Sequence, residues 1–76
     1  MKNIEKEKVL IEFARAMRSA RELKGITQAY AAEELGVSRS YYAMIENGDR
    51  EIYFTLALNI CRLLDVDINE FVKRLK

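Results

Sequence analysis

The stretch from Thr27 to Gly48 constrains the fold more than any other, because it holds two helix start signals and two stop signals within 22 residues. Thr27 can accept a hydrogen bond from backbone N–H groups of the next turn, and strong helix formers follow it. Gly36 ends that run, since glycine adopts the left-handed conformation without steric cost. Ser38 offers a second N-cap, and Asn47 with Gly48 offers a second stop. The sequence therefore predicts two short helices joined by a glycine-centred turn.

This plan is that of a helix-turn-helix, and the residues also carry a family resemblance. The string T-Q-A-x-A-A-x-x-L-G-V-S-R-S-Y-x-x-x-I-E-N-G resembles the Cro and phage-repressor (Xre-type) family of DNA-binding domains. Upstream residues also match, namely Phe13, Ala14, Met17, Ala20, Arg21, Lys24 and Gly25. Residues 50–71 are similar to the family's fourth and fifth helices, so the resemblance covers residues 13–72 without a gap. It implies an all-α, five-helix, lambda-repressor-like domain whose helices 2 and 3 form the motif over residues 27–48.

Composition agrees with one small helical domain over residues 1–76. The chain has no proline and 3 glycines, which favours helices, and its size makes a homodimer a plausible aid to stability. A single cysteine, Cys61, and no histidine leave no disulfide framework or conventional zinc site, so we expect no metal, no cofactor and a cytoplasmic location. The charged start of the chain predicts no signal peptide. No apolar run reaches the ~18 residues of a membrane span, so we expect a soluble protein with no membrane contact.

Charge alone gives weak support for nucleic-acid binding, because the net charge is only +1. Residues 1–24 hold seven basic and four acidic side chains, residues 25–50 hold two and four, and residues 51–76 hold four and four. The motif itself is therefore net acidic. DNA binding would need local placement of basic groups rather than a broad basic surface.

The family resemblance implies that the second motif helix enters the DNA major groove. Numbered from the Ser38 cap, its outward residues would be Arg39, Ser40, Ala43 and Met44, with Val37, Tyr42 and Ile45 facing inward. The Arg39 guanidinium can bond two acceptors on a guanine edge, although a phosphate contact or a solvated charge is the plainer alternative. Ser40 is a permissive contact, and Ala43 or Met44 could touch a thymine methyl.

Other residues would position the domain on DNA rather than read its sequence. Gln28 resembles the family residue that holds a phosphate and braces the second motif helix, and Tyr30 could add a hydroxyl contact. Asp49 opposes this, since a basic residue is common there. Apart from the possible contribution of Tyr30, the predicted DNA contacts are Gln28, Ser38, Arg39, Ser40, Tyr41, Ala43, Met44, Asn47 and Arg50. The resemblance also implies a structural ion pair between Arg21 and Glu46.

The motif departs from the family in its core. Ala31 stands where leucine is usual and Tyr42 where a smaller aliphatic is usual, so we expect the ring of Tyr42 to fill the space that Ala31 leaves. A buried Tyr42 hydroxyl would then need a hydrogen-bond partner. Tyr30 replaces the glutamate of a capping box, which leaves only the one-way cap of Thr27.

The flanking segments add further predictions. Asn3 is a candidate N-cap for a first helix that continues to Lys24. Ile52 and Tyr53 replace the usual Pro-Ser before the fourth helix, so Thr55 or a water could serve as its cap. That helix is apolar nearly all round, which predicts a central position. Cys61 is expected in its core, and the following segment predicts an Asp67 capping box with Glu70 and a staple of Val66 on Phe71.

The last helix carries an apolar stripe with two readings. Phe71, Val72 and Leu75 could close the domain's own core, or part of the stripe, with Ile52 or Tyr53, could meet a second copy across a two-fold axis.

Three classes of function follow. The first is a DNA-binding regulator that represses as a dimer on a palindromic operator, with no small-molecule effector. The second is a protein-interaction module, such as an antitoxin-like component or a regulator partner, which the acidic motif keeps open. An enzyme has little support, because the chain lacks histidine and a glycine-rich phosphate loop.

Overall fold

A computed structural model describes residues 4–75, which form five α-helices and no strands. The helices are α1 (Lys6–Lys24), α2 (Gln28–Leu35), α3 (Arg39–Glu46), α4 (Phe54–Leu64) and α5 (Ile68–Arg74). The predicted all-α, five-helix class is therefore confirmed. The Asn3 cap falls outside the described residues, and α1 begins after Glu5, which makes no side-chain cap bond.

The turn chemistry of the motif is as predicted. Thr27 Oγ1 accepts from the Tyr30 backbone N–H at 3.0 Å, and Ser38 Oγ accepts from that of Tyr41 at 3.0 Å. Gly36 ends α2 at φ 71°, in the left-handed region where a side chain would be strained. These caps and stops fix both ends of α2 and the start of α3, so local signals set where the motif helices begin and end.

α1 and α2 each pack against both α3 and α4, and the core lies between these helices. Its buried apolar residues are Phe13, Ala14, Met17, Ala31, Ala32, Tyr42, Ile45, Leu56, Ile60, Cys61, Leu64 and Phe71. Phe13 meets Phe71 edge to face with ring centroids 5.3 Å apart, which docks α5 on α1. Burial raises the pKa of the Cys61 thiol, in agreement with the core position predicted for it.

The start of α4 corrects two predictions. Tyr53 is the N-cap residue and makes no side-chain cap bond, and Thr55 lies inside the first turn, where it cannot cap the helix. The helix is also less central than its composition indicates, because Phe54 is 74% exposed and Leu58 is 40% exposed. α1 and α2 pack against α4, while Phe54 and Leu58, one turn apart, leave another face of α4 open to solvent.

The C-terminal stripe mostly closes the domain's own core. Asp67 Oδ1 accepts from the N–H groups of Asn69 at 2.9 Å and Glu70 at 3.3 Å, so the Asp67 half of the predicted capping box is present. Phe71 is buried and Leu75 is half-buried, while Val72 remains exposed. Within residues 4–75, no helix has the length and apolar character needed to cross a membrane.

Candidate nucleic-acid interface

The outer face of α3 presents a short exposed surface. Arg39, Ser40 and Met44 are exposed, while Tyr42 and Ile45 are buried against the rest of the domain. This division follows the predicted inward and outward positions, because residues three and four apart share one face of a helix. Ala43 is only half-buried, so its methyl group lies closer to the core than an outward position implies.

Two further candidates at the start of α3 are partly occupied within the domain. The Ser38 hydroxyl oxygen accepts the Tyr41 N–H, which leaves its O–H free to donate. The Tyr41 side chain is half-buried and packs against the core. Of the residues at this end of the helix, Arg39 and Ser40 therefore have the greatest freedom to reach a ligand.

The far end of α3 is held by a buried carboxylate. Glu46, 3% exposed, accepts from Arg21 Nε at 2.6 Å and from Arg21 Nη2 at 3.1 Å, so the pair implied by the resemblance is present in the structure. Gln28 Nε2, in the first turn of α2, donates to Glu46 Oε1 at 3.0 Å. The same Arg21 side chain donates to the Ile26 carbonyl at 2.9 Å. One carboxylate thus joins α1, α2 and α3.

Electrostatics keep this pair charged. Burial alone would raise the pKa of Glu46, but the hydrogen bonds from Arg21 and Gln28 outweigh it and lower that pKa. The bond to Glu46 likewise raises the pKa of Arg21 against the effect of burial. Both shifts favour the ionised forms, so the network is a fixed pair of opposite charges.

The Tyr42 hydroxyl departs from expectation. Its ring is fully buried in the same core cluster as Ala31, which fits the predicted filling of space. The hydroxyl, however, has no hydrogen-bond partner within residues 4–75, so the expectation of one is wrong. Burial is the main cause of the raised pKa of Tyr42, and the nearby Glu46 carboxylate raises it further.

Arg18 is a member of the site that the sequence reading missed. Its Nε donates to Glu46 Oε1 at 3.4 Å, and its Nη2 donates to the Glu46 carbonyl at 3.4 Å and to Asn47 Oδ1 at 3.2 Å. A cation at this place also compensates the partial negative charge of the α3 C-terminus. The available signal was its position three residues before Arg21, which puts both guanidinium groups on one face of α1.

The remaining candidates lie around the same surface. Arg50 Nε approaches Met44 Sδ at 3.1 Å, so the side chain folds back over the end of α3. Tyr30 is 48% exposed near the start of α2, and Gln28 is half-buried because its amide reaches inward. In residues 4–75, no group of three or more His, Cys, Asp or Glu side chains converges in a way that could hold a metal ion.

Comparison with known proteins agrees with this geometry. The model of a helix-turn-helix family matches residues 17–71, more than half of the chain. The chain is also similar to YqaE of Bacillus subtilis (strain 168), which is named as an HTH-type transcriptional regulator, with 33% identity over 61 residues. Those residues cover 80% of this chain and 53% of YqaE, so the chain spans about half the length of that relative. The five helices, the capped motif and the family match together show that this chain belongs to the helix-turn-helix family of the Cro and phage-repressor type.

Proposed function

We propose that the chain is a sequence-specific DNA-binding regulator that represses transcription by occupying a promoter as a dimer on a palindromic operator. One observation carries the proposal: α3 is locked at its C-terminal end by the buried Glu46, while Arg39 and Ser40 are exposed at its N-terminal end. A rigidly held helix with free polar side chains at its start is the arrangement that reads base edges in a major groove. The role is binding, not catalysis.

The contacts divide into reading and positioning. Arg39 is the base-reading residue of the proposal, Ser40 adds a permissive contact, and Met44 offers an apolar surface to a thymine methyl. Gln28 keeps one amide hydrogen for a phosphate, because the other donates to Glu46. Because Ala43 is half-buried, we expect it to make only a minor contact.

Backbone contacts come from the edges of the motif. Arg50 and Asn47 lie beyond α3, where they can meet the sugar-phosphate backbone together with Ser38 and Tyr41 at its start. Arg18 brings an additional half-exposed guanidinium to the Asn47 side of this surface. These placements supply positive charge locally, although the net charge of the chain is +1.

The acidic residues in and beside the motif oppose DNA binding less than their number implies. Of the four acidic residues in residues 25–50, Glu46 is buried and paired with Arg21, so it adds little negative potential to the surface. Glu33, Glu34 and Asp49 remain exposed. Their charge supports modest rather than tight binding, with a strong dependence on salt.

Selection of bound sequences from a random duplex library, at low and moderate salt, tests the proposal. We expect an inverted repeat whose half-sites are about one helical turn, ~34 Å, apart. Recovery of no preferred sequence, with binding lost steeply as salt rises, would leave only phosphate attraction. That result would favour the second candidate, a protein-interaction module on the same fold, for which the exposed acids of the motif are the supporting observation.

A further inference from the structure

The Tyr42 hydroxyl is a buried polar group with no hydrogen-bond partner within residues 4–75. Its residue is fully buried, so bulk water does not reach the oxygen. Buried polar atoms in folded proteins are nearly always bonded, because an unpaired one lowers stability. Phenylalanine would fill the same space without this cost. Packing therefore explains the ring of Tyr42 and leaves its hydroxyl unexplained.

This hydroxyl shares its surroundings with the Glu46 carboxylate. Tyr42 and Glu46 lie one turn apart on the buried face of α3, where residues four apart are neighbours. Burial raises the pKa of Tyr42, and Glu46 raises it further. Burial would also raise the pKa of Glu46, but Arg21, Gln28 and Tyr42 together lower it. The hydroxyl and the carboxylate thus act on each other inside the domain.

The carboxylate already has as many donors as it can accept. Its two oxygens offer about four acceptor sites. Arg21 donates from Nε at 2.6 Å and from Nη2 at 3.1 Å, Gln28 donates from Nε2 at 3.0 Å, and Arg18 donates from Nε at 3.4 Å. The Tyr42 hydroxyl is a fifth donor beside a filled acceptor, which accounts for its lack of a partner. Departure of one N–H donor would open a place for it.

Gln28 is the donor best able to leave. Arg21 is held by its charge and by a second bond, to the Ile26 carbonyl. Gln28 is neutral, so its bond to the carboxylate lacks the attraction between two charges. It is also the first residue of α2, on the surface proposed to meet a phosphate. The amide can offer its second hydrogen in place, but an outward turn that brings the whole amide to a phosphate breaks its bond to Glu46.

We propose that the Tyr42 hydroxyl is a reserve donor for Glu46: when Gln28 turns outward to a DNA phosphate, the hydroxyl donates to the carboxylate oxygen that Gln28 leaves. The carboxylate then stays fully bonded in both states, so α3 keeps its orientation while Gln28 changes partner. Tyr42 is buried and acts through Glu46 and Gln28, which makes it a positioning residue. The DNA step rests on the proposed function, whereas the replacement of Gln28 at Glu46 can be tested without DNA.

A double-mutant cycle on the full chain, unfolded by urea without DNA, tests the replacement. Gln28→Met removes the amide donor and keeps a similar size, and Tyr42→Phe removes only the hydroxyl. With Gln28 present, Tyr42→Phe should leave the ratio of folded to unfolded chain unchanged or raise it. In the Gln28→Met background it should lower that ratio about tenfold, because the bond that replaced the amide is lost.

The matched control is Tyr53→Phe, which removes a hydroxyl from a side chain that is largely exposed at the start of α4. It should have the same small effect in both backgrounds, and circular dichroism verifies that every variant is folded. Equal effects of Tyr42→Phe in the two backgrounds would overturn the inference. A water molecule or a rearranged arginine would then fill the place of Gln28.

Tyrosine absorption distinguishes a new hydrogen bond from a change in packing. A tyrosine hydroxyl that donates to a carboxylate absorbs at longer wavelength than one that donates to nothing. Gln28→Met should therefore shift the near-ultraviolet absorption of the folded chain to longer wavelength, and the same substitution should give no shift in the Tyr42→Phe background. Absence of a shift in Gln28→Met would also overturn the inference.

On DNA the pattern should reverse. Tyr42→Phe should weaken binding to the selected operator about tenfold while Gln28 is present, because the turning amide then leaves the carboxylate one bond short. In the Gln28→Met background it should have no effect, since no amide is there to move. Operator affinity that Tyr42→Phe leaves unchanged would overturn the exchange on DNA. If no DNA sequence is recognised, the proposed function fails, and the cycle without DNA still decides whether Tyr42 replaces Gln28.

Discussion

Arg21 Nε lies 2.6 Å from Glu46 Oε2, which ties the last turn of α1 to the last residue of α3. Arg21 is 12% exposed in its side chain and Glu46 is not exposed at all, so the pair is removed from water. The orientation of α3 therefore depends on a buried charge pair as well as on apolar packing. Removing either partner should lower the free energy of unfolding strongly, because the other charge would remain buried without compensation.

The two arginines that reach Glu46 should differ in their importance for stability. We expect Arg21→Ala to lower the free energy of unfolding by about 3–5 kcal/mol, as breaking a buried pair does. Arg18→Ala should cost less than about 1 kcal/mol, because its side chain is 46% exposed and its bonds are longer. Urea unfolding measures both values, and equal losses would contradict the assignment of Arg21 as the principal partner.

Acid should weaken the fold through Glu46. Its folded pKa lies below the ordinary value of 4.5, so the unfolded chain takes up this proton at a higher pH than the folded one. The stabilisation is complete above about pH 4.5 and is lost as the pH falls through the folded pKa. In Glu46→Gln the free energy of unfolding should vary less with pH over that range than in the wild type. Urea unfolding at each pH measures this dependence for both proteins. If the two free energies of unfolding fall identically with acid, Glu46 is not the cause of the acid sensitivity.

Tyr42 should contribute through its ring and not through its hydroxyl. Tyr42→Ala should lower the free energy of unfolding by about 3–5 kcal/mol, since it empties a fully buried site beside Ala31. Tyr42→Phe keeps the ring and removes an oxygen that lacks a partner, so stability should be unchanged or rise by up to about 1–3 kcal/mol. A marked loss in the phenylalanine variant would show that the hydroxyl is bonded in solution, and a loss below about 1 kcal/mol in Tyr42→Ala would argue against the space-filling role.

Arg39 and Arg50 should affect DNA binding in different ways. If Arg39 reads a guanine, Arg39→Ala relaxes the preference at one base pair of each half-site, a loss of about 1–3 kcal/mol of discrimination. Arg50→Ala should weaken binding to all sequences alike and reduce the salt slope by about one. Affinities for the selected operator and for single-base variants distinguish the two patterns. Uniform weakening by Arg39→Ala would make it a phosphate contact.

Local sequence signals predicted the ends of the motif helices well. The hydroxyls of Thr27 and Ser38 bond to N–H groups within three residues along the chain, and Gly36 takes a backbone conformation that glycine adopts freely. Hydrogen bonds between residues so close along the chain depend on only a few side chains, which makes them predictable from sequence. The start of α4 was harder to predict, because Tyr53 supplies no side-chain cap and Phe54 begins a helix that local signals place later.

Long-range partners needed the structure. The Glu46 carboxylate meets Arg18, 28 residues earlier, and Gln28, 18 residues earlier, and no spacing rule along the chain connects those positions. The exposure of Phe54 on an apolar helix is a similar case, since it depends on which faces α1, α2 and α5 leave uncovered.

The sequence by itself determined the helices of the motif, their caps and the all-α class, because these follow from backbone preferences and hydrogen bonds between near neighbours. The family resemblance added the Arg21–Glu46 pair. The tertiary structure alone decided that Arg18 joins this pair, that the Tyr42 hydroxyl is left without a partner, and that Phe54 stands beside an open groove. Each of these depends on how helices distant in sequence pack in three dimensions, where shape and distance, not order along the chain, determine which atoms meet.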